Sequence, residues 1–414
     1  LVGSEMCIRD RYKGGDNGEY LFHYVRQNCP DVDIYYLLTE TSADYQRLKE
    51  DDHVLIHGTK EAKLKVLQAQ LILATHTNTM SGCGFTTEGE KRYLKNLYNA
   101  EIVCIQHGLT VQDIAIWQNI VCDNTKLYCC ASKNEIKNIL QPSYGYTRKE
   151  VRLTGLARYD GLVSKDKHQI LITPTWRRNL VNAGSSGNVR AKNNFFKDTE
   201  YFKIYNNLIN DERLIACAKK HNYRIMYLIH PTLSAQIDDF DKNEYVDIVA
   251  AAGDMSYEKV LTESSLMITD YSGVQFDFAY MRKPVLYYHP ASLPPHYTES
   301  IAFQYATMGF GPMIDNHEEL VSQICAYMEK DCSMDPFYRK RADEFFAFSD
   351  TDNCKRITDA IMEYAKELES KKYDAMAKSD KYDLMKPEPV EKVVKQSVSG
   401  KMKKMVKSLL HRGK

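Results

Sequence analysis

The sequence predicts an α/β protein of two domains, each built on a mostly parallel sheet. Three observations carry this expectation. The chain has 414 residues, more than one hydrophobic core ordinarily serves. Short apolar runs alternate with amphipathic stretches, the pattern of strands joined by crossover helices. The alternation then restarts near residue 168, after a junction at 158–167.

Residues 1–11, LVGSEMCIRDR, lack periodicity and read as a non-native leader outside the fold, with a true first strand lost upstream. An acceptor-side α/β domain is expected over 12–162. Residues 17–29 read as a helix, with Asn17 a candidate cap and Tyr20, Leu21, Tyr24 and Val25 on one face. VDIYYLL (32–38), HVLIHG (53–58), LILATH (71–76) and EIVCIQHG (101–108) read as strands, and KEAKLKVLQAQ (60–70) as a helix. VRLTGLARYDGL (151–162) closes this half.

A second α/β domain is expected over 163–350. Its candidate strands are 168–177, 223–231, 245–250, 265–273 and 284–290, with helices near 199–209, 211–221, 256–263 and 274–281. GFGPMID (309–315) reads as a turn, and 317–330 as a surface helix. Helices are expected over 351–385 and a basic amphipathic tail over 386–414. In that tail Val394, Val398, Met402, Met405, Val406 and Leu409 form an apolar stripe when wound as a helix. Lys401, Lys403, Lys404 and Lys407 rim it, with no acid from Lys392 to Lys414. Such a segment suits an anionic membrane surface, with Lys401, Met402, Lys403, Lys404, Met405, Lys407 and Leu409 as the contacts.

Bulk composition narrows the function classes. Lys plus Arg and Asp plus Glu are both 55, so no charge excess points to nucleic acid as a partner. No run of 18 apolar residues is present to span a bilayer. The 11 cysteines show no CxxC or zinc spacing and read as free thiols in a reducing compartment.

In a parallel α/β sheet ligands lie beyond the carboxyl ends of the strands, so the residues there carry the chemistry. They are His107-Gly108, Thr175-Trp176-Arg177, His230-Pro231, Asp270-Tyr271-Ser272-Gly273 and His289-Pro290. The set suits phosphate. Ser272 and Gly273 at a helix start would offer amides and a hydroxyl to an anion, and Arg177 a bidentate contact. A neutral imidazole can take a proton from an alcohol. Helix capping by Asp270 and Ser272 is the simpler alternative. Neither a dinucleotide fingerprint nor a P-loop is present.

These stretches, QHG (106–108), GLARYD (155–160), PTWR (174–177), IHP (229–231) and ITDYSGVQFDFAYMRKPVLYY (268–288), together resemble the CDP-glycerol:poly(glycerophosphate) glycerophosphotransferases of teichoic acid synthesis. The likeness runs from about residue 15 to about 350. It implies two Rossmann-like domains facing a cleft, the glycosyltransferase B type, and peripheral attachment at the cytoplasmic face of the membrane. It further implies transfer of a polyol phosphate from CDP-glycerol or a related CDP-polyol to a lipid-linked polymer, in teichoic acid or capsule synthesis. By the same resemblance His107 is the general base and His230 stands near the donor pyrophosphate. Asp270, Ser272 and Asp277 match the donor-side motif, with Arg177 and Gly273 beside them and Gly108, Thr175 and Pro231 in support. Members commonly read His-Gly-Thr and Gly-Leu-Pro-Arg, where this chain has His107-Gly108-Leu109-Thr110 and Gly155-Leu156-Ala157-Arg158. The polyol and acceptor therefore stay open. No protein-bound metal or other cofactor is called for, although Mg²⁺ carried by the substrate is compatible. Two other readings also stay open: a nucleotide-sugar transferase of the same fold, and an inactive membrane-surface scaffold.

Overall fold

The computed structural model describes residues 5–9, 14–42, 44–75, 87–94, 97, 100–180, 192–250, 256–295 and 299–381. Residues 1–362 form one unit and 363–414 a second. The first unit holds two parallel sheets. Strands β1 (Glu5–Arg9), β2 (Asp33–Leu38), β3 (Val54–Ile56), β4 (Leu71–Ala74), β5 (Glu101–Cys104), β6 (Thr125–Cys130) and β7 (Val151–Leu153) stand in the order β3-β2-β1-β4-β5-β6-β7. Parallel neighbours require crossovers. These are carried by α1 (Asn17–Asn28), α2 (Tyr45–Leu48), α3 (Lys60–Gln68), α4 (Glu88–Leu94), α5 (Ile120–Asp123) and α6 (Lys133–Ile139).

The second sheet comprises β8 (Gln169–Ile172), β9 (Arg224–Ile229), β10 (Val246–Ala250), β11 (Ser264–Thr269), β12 (Val285–Tyr288) and β13 (Met313–Ile314), in the order β10-β9-β8-β11-β12-β13. Around it run α7 (Glu200–Ile209), α8 (Glu212–Lys220), α9 (Tyr257–Glu263), α10 (Val274–Tyr280), α11 (Tyr305–Met308), α12 (His317–Met328) and α13 (Pro336–Phe345). The last helix, α14, spans Asn353–Lys381. In each sheet the order reverses once, between β1 and β4 and between β8 and β11. These are the crevices where doubly wound sheets take ligands.

Both faces of the second sheet are buried, which explains its nearly unbroken apolar strands. Ile170, Ile172, Leu266, Ile268, Leu286 and Tyr288 turn to one core. Their neighbours Leu171, Met267, Val285 and Tyr287 turn to the other, which also holds Val111, Ala131, Leu156 and Tyr159 from the first half. The two sheets therefore share an apolar seam. The chain's return reinforces it: Asp160 accepts hydrogen bonds from the backbone amides of Asn353 (2.8 Å) and Cys354 (2.7 Å) at the start of α14.

Three expectations are corrected, and one strand is added. Residues 1–11 do not all lie outside the fold, because Glu5–Arg9 pairs with both β2 and β4. A mid-sheet slot is satisfied by backbone pairing and apolar fill, and Met6 there is buried. Asn17 is not the cap of α1; Asp16 accepts from the Asn17 amide at 2.7 Å. Strand β6 was not anticipated, since TKLYCC carries little β-branched signal. The segment 309–315 is more than a turn, because Met313–Ile314 pairs with β12.

The tail residues Lys401, Met402, Lys403, Lys404, Met405, Lys407 and Leu409 lie outside the described residues. Among the described residues no helix is long and apolar enough to cross a membrane.

Candidate active site

The first component follows β5. The chain leaves the ladder at Gln106, whose φ of 56° is a left-handed conformation costly for a side chain larger than glycine. A buried polar network holds it there. The Gln106 side chain donates to the Cys129 carbonyl (2.5 Å) and to Glu135 (2.9 Å), and accepts from the Thr110 hydroxyl at 2.7 Å. Glu135 also accepts from the amides of Thr110 (2.6 Å) and Ala131 (2.7 Å). Burial pushes the Glu135 carboxyl up, against the pull of these donors. His107 and Gly108 are thus presented on a rigid turn. The His107 ring keeps access to solvent, yet protein crowds it enough to lower its pKa. Asp16 and the Thr75 backbone pull the value up, and Arg158 pushes it down. A neutral imidazole able to accept a proton is the result.

The second component lies at the β8/β11 reversal. Asp270, buried, accepts from the amides of Thr175 (2.8 Å) and Tyr271 (2.6 Å) and from Arg177 Nη2 at 2.7 Å. Arg177 Nη1 donates to the Thr175 carbonyl at 2.7 Å. Arg177, expected to grip phosphate with two nitrogens, here spends Nη1 and Nη2 on the protein itself. Its guanidinium is buried against Asp270, the carboxylate that follows β11. Arg177 and Asp270 together weld two strand ends and hold Tyr271 in place. The Tyr271 ring stacks on His289 at 4.3 Å, while His289 Nε2 lies 3.2 Å from the Asp270 carbonyl. Burial lowers the His289 pKa.

Ser272 and Gly273 lead into α10. Gly273 occupies the cap position with helical backbone angles and no side chain caps the helix. The capping alternative for Asp270 and Ser272 is thereby corrected: Asp270 turns to Thr175, Tyr271 and Arg177 instead. A Cβ built on Gly273 would meet nothing within 4 Å, so this turn is open. His230 ends β9, and its Nδ1 accepts from the Thr232 amide at 3.2 Å, with Pro231 opening the following 3₁₀ turn. That bond assigns the proton of the neutral ring to Nε2. The Trp176 ring lies 6.0 Å from that of His230.

Asp277 is expected beside the donor. It instead makes a two-pronged pair with Arg158, at 2.5 Å to Nε and 2.9 Å to Nη2. Arg158 Nη1 reaches Asp16 at 2.8 Å and also donates to the His107 carbonyl. The Arg158 amide donates to Asn17 at 3.0 Å, and Asn17 Nδ2 donates to the Gln106 carbonyl at 2.6 Å. The sequence reading passed over Asp16 and Glu135, took Asn17 only as a cap, and took Arg158 only as part of the GLARYD stretch. The available signal was that Arg158 and Asp16 also fall just past strand ends or at a helix start.

The donor-side residues Thr175, Arg177 and Asp270 are thus brought into contact, and Asp277 joins the His107 turn through Arg158. Among the described residues, one group could gather round a metal, Asp51, Asp52 and His53. It precedes β3, at the sheet edge opposite the one His107 follows. His53 there already contacts Asp52 at 2.5 Å.

The fold and several relatives are shared with known proteins. A solved structure of the wall teichoic acid polymerase TagF overlays with a TM-score of 0.59 at 14% identity, covering 88% of this chain and 90% of that one. At that identity the likeness speaks for the two-sheet, glycosyltransferase B type fold. The minor teichoic acid biosynthesis protein GgaB of Bacillus subtilis is 38% identical over 365 residues, 86% of this chain and 39% of GgaB. A teichoic acid poly(glycerol phosphate) polymerase of Bacillus spizizenii is 26% identical over 204 residues, 48% of this chain and 46% of that protein. The chain thus spans less than half the length of these two relatives. The family model for CDP-glycerol:poly(glycerophosphate) glycerophosphotransferase matches residues 7–363, nearly the whole described body. The chain belongs to that family.

Proposed function

We propose that this chain transfers glycerol phosphate, or a related polyol phosphate, from a CDP-activated donor to a hydroxyl of a growing cell-wall or capsular polymer. The observation that carries the reading is the pairing of two strand-end sites in a member of this family. His107 stands on a turn held by the Gln106–Glu135 network in one sheet, and an open Ser272-Gly273 turn braced by Asp270 stands in the other. In the step itself the acceptor oxygen attacks the glycerol-bearing phosphorus. The new P–O bond forms as the bond to CMP breaks. His107 takes the hydroxyl proton and releases it to solvent. His230 Nε2 and the amides following Ser272 supply donors to the phosphoryl oxygens. Arg177 contributes through Asp270, holding the turn, and any Mg²⁺ arrives with the donor.

We place the protein peripherally at the cytoplasmic face of the membrane, where a lipid-linked acceptor is found. The cationic, apolar pattern of 392–414 supports that placement. The deciding assay is CMP release from CDP-glycerol, CDP-ribitol and UDP-glucose with a lipid-linked glycerophosphate acceptor. Acceptor-dependent CMP from one of the two CDP-polyols is expected. Turnover of UDP-glucose alone would replace the reading with sugar transfer. No turnover and no CDP-glycerol binding would leave the scaffold alternative.

A further inference from the structure

Arg158 is the point at which the two candidate half-sites meet. It is reached from three directions: from Asp16, which caps α1; from His107, through its carbonyl oxygen; and from Asp277, on the helix that begins at the Ser272-Gly273 turn. Gly108 sits beside it as well, since a Cβ built there would lie 3.9 Å from Arg158 Nη2. A planar fork with five donors can serve such a set of acceptors at once, and a lysine cannot. The Asp277 side chain is only 3% exposed and that of Arg158 16%, so neither charge has water as a ready substitute for the other.

We propose that Arg158 is a positioning residue for the transfer step. Its guanidinium holds the His107 turn of one sheet against α10 of the other, and so sets the separation between base and donor-side turn. Asp277 acts here by anchoring Arg158. The inference rests on reading His107 as the general base. A displacement of about 1 Å between reacting groups can cost about 10²-fold in rate, so loosening this contact should appear in kcat before it appears in donor KM. Charge gives a second signature. Burial lowers the His107 pKa; among the described groups, Arg158 lowers it further, while Asp16 and the Thr75 backbone raise it. As a base, His107 must be neutral, so activity rises with pH through its pKa. Removing Arg158 shifts that acidic limb to higher pH. Removing the charge of Asp16 shifts it to lower pH.

The test measures kcat, donor KM and the pH profile of CMP release from CDP-glycerol for R158Q, R158K, D16N and H107A, with thermal melting of each. R158Q is expected to lose about 10- to 100-fold in kcat with donor KM changed less than about threefold. Its acidic limb should lie at higher pH, and R158K should restore the limb but only part of the rate. D16N can still cap α1, and should move the limb to lower pH. Wild-type kcat and limb in a folded R158Q, or loss confined to KM, overturns the inference. Should R158Q fail to fold, R158K decides: a folded R158K that loses about tenfold in kcat with donor KM nearly unchanged supports the inference, and wild-type kcat in R158K overturns it. Near-normal turnover in H107A would instead sink the base assignment itself. An inactive H107A beside an unaffected R158Q sinks only the role of Arg158.

Discussion

Asp270 shows how a single carboxylate organises a strand end. It faces two amides and one guanidinium, and it is 1% exposed. An asparagine of the same shape keeps one acceptor but leaves the Arg177 charge buried without its partner. Breaking such a pair costs about 3–5 kcal/mol. D270N should therefore melt well below the wild type and transfer more slowly even at temperatures where it stays folded; equal melting and activity would show the pair to be dispensable. That Asp270 ends a strand was legible in the sequence, because a carboxylate followed by small residues after an apolar run marks such a place. That it holds Arg177 was not legible. The two are 93 positions apart, and Arg158 finds Asp277 and Asp16 across 119 and 142. Partner choice at such separations is made by tertiary packing, and no local spacing records it.

At the level of elements, most strands and helices announced themselves through period and apolar content, and they fell within a few residues of expectation. The exceptions have physical reasons. Strand β6 draws its stability from pairing on both sides, with β5 and β7, so its own residues need little β preference. Strand β13 has two residues and exists because β12 offers an edge. Lys283 is an element-scale device of another kind. Its buried ammonium donates to the carbonyls of Leu261 (3.2 Å), Thr262 (2.7 Å) and Ser264 (2.5 Å), closing the carboxyl end of α9 as the chain enters β11. K283M should lower unfolding stability by about 2–3 kcal/mol through the orphaned carbonyls. Affinity for CDP-glycerol, measured by calorimetry, should change little, since none of these contacts reaches the strand-end residues. A variant as stable as wild type would show that water or relaxation replaces all three bonds.

At the scale of the whole molecule, the proposed reading makes membrane attachment separable from transfer. Deletion of residues 392–414 should weaken binding to phosphatidylglycerol vesicles, with about 1 kcal/mol lost for each basic residue that had approached the surface. CMP release with a soluble acceptor should be preserved. Equal vesicle binding with and without the tail would end that assignment. The two-sheet class itself was legible, because alternating strands and helices that restart after a junction admit few other architectures. The contact between Asp160 and the start of α14 has a consequence in time. It joins positions 193 residues apart, and contacts of such range form late. On the ribosome, the first sheet can assemble while the second is still being made. The seam can be latched only after the beginning of α14 has emerged, so a nascent chain carries both strand-end clusters before the contact that ties them is made.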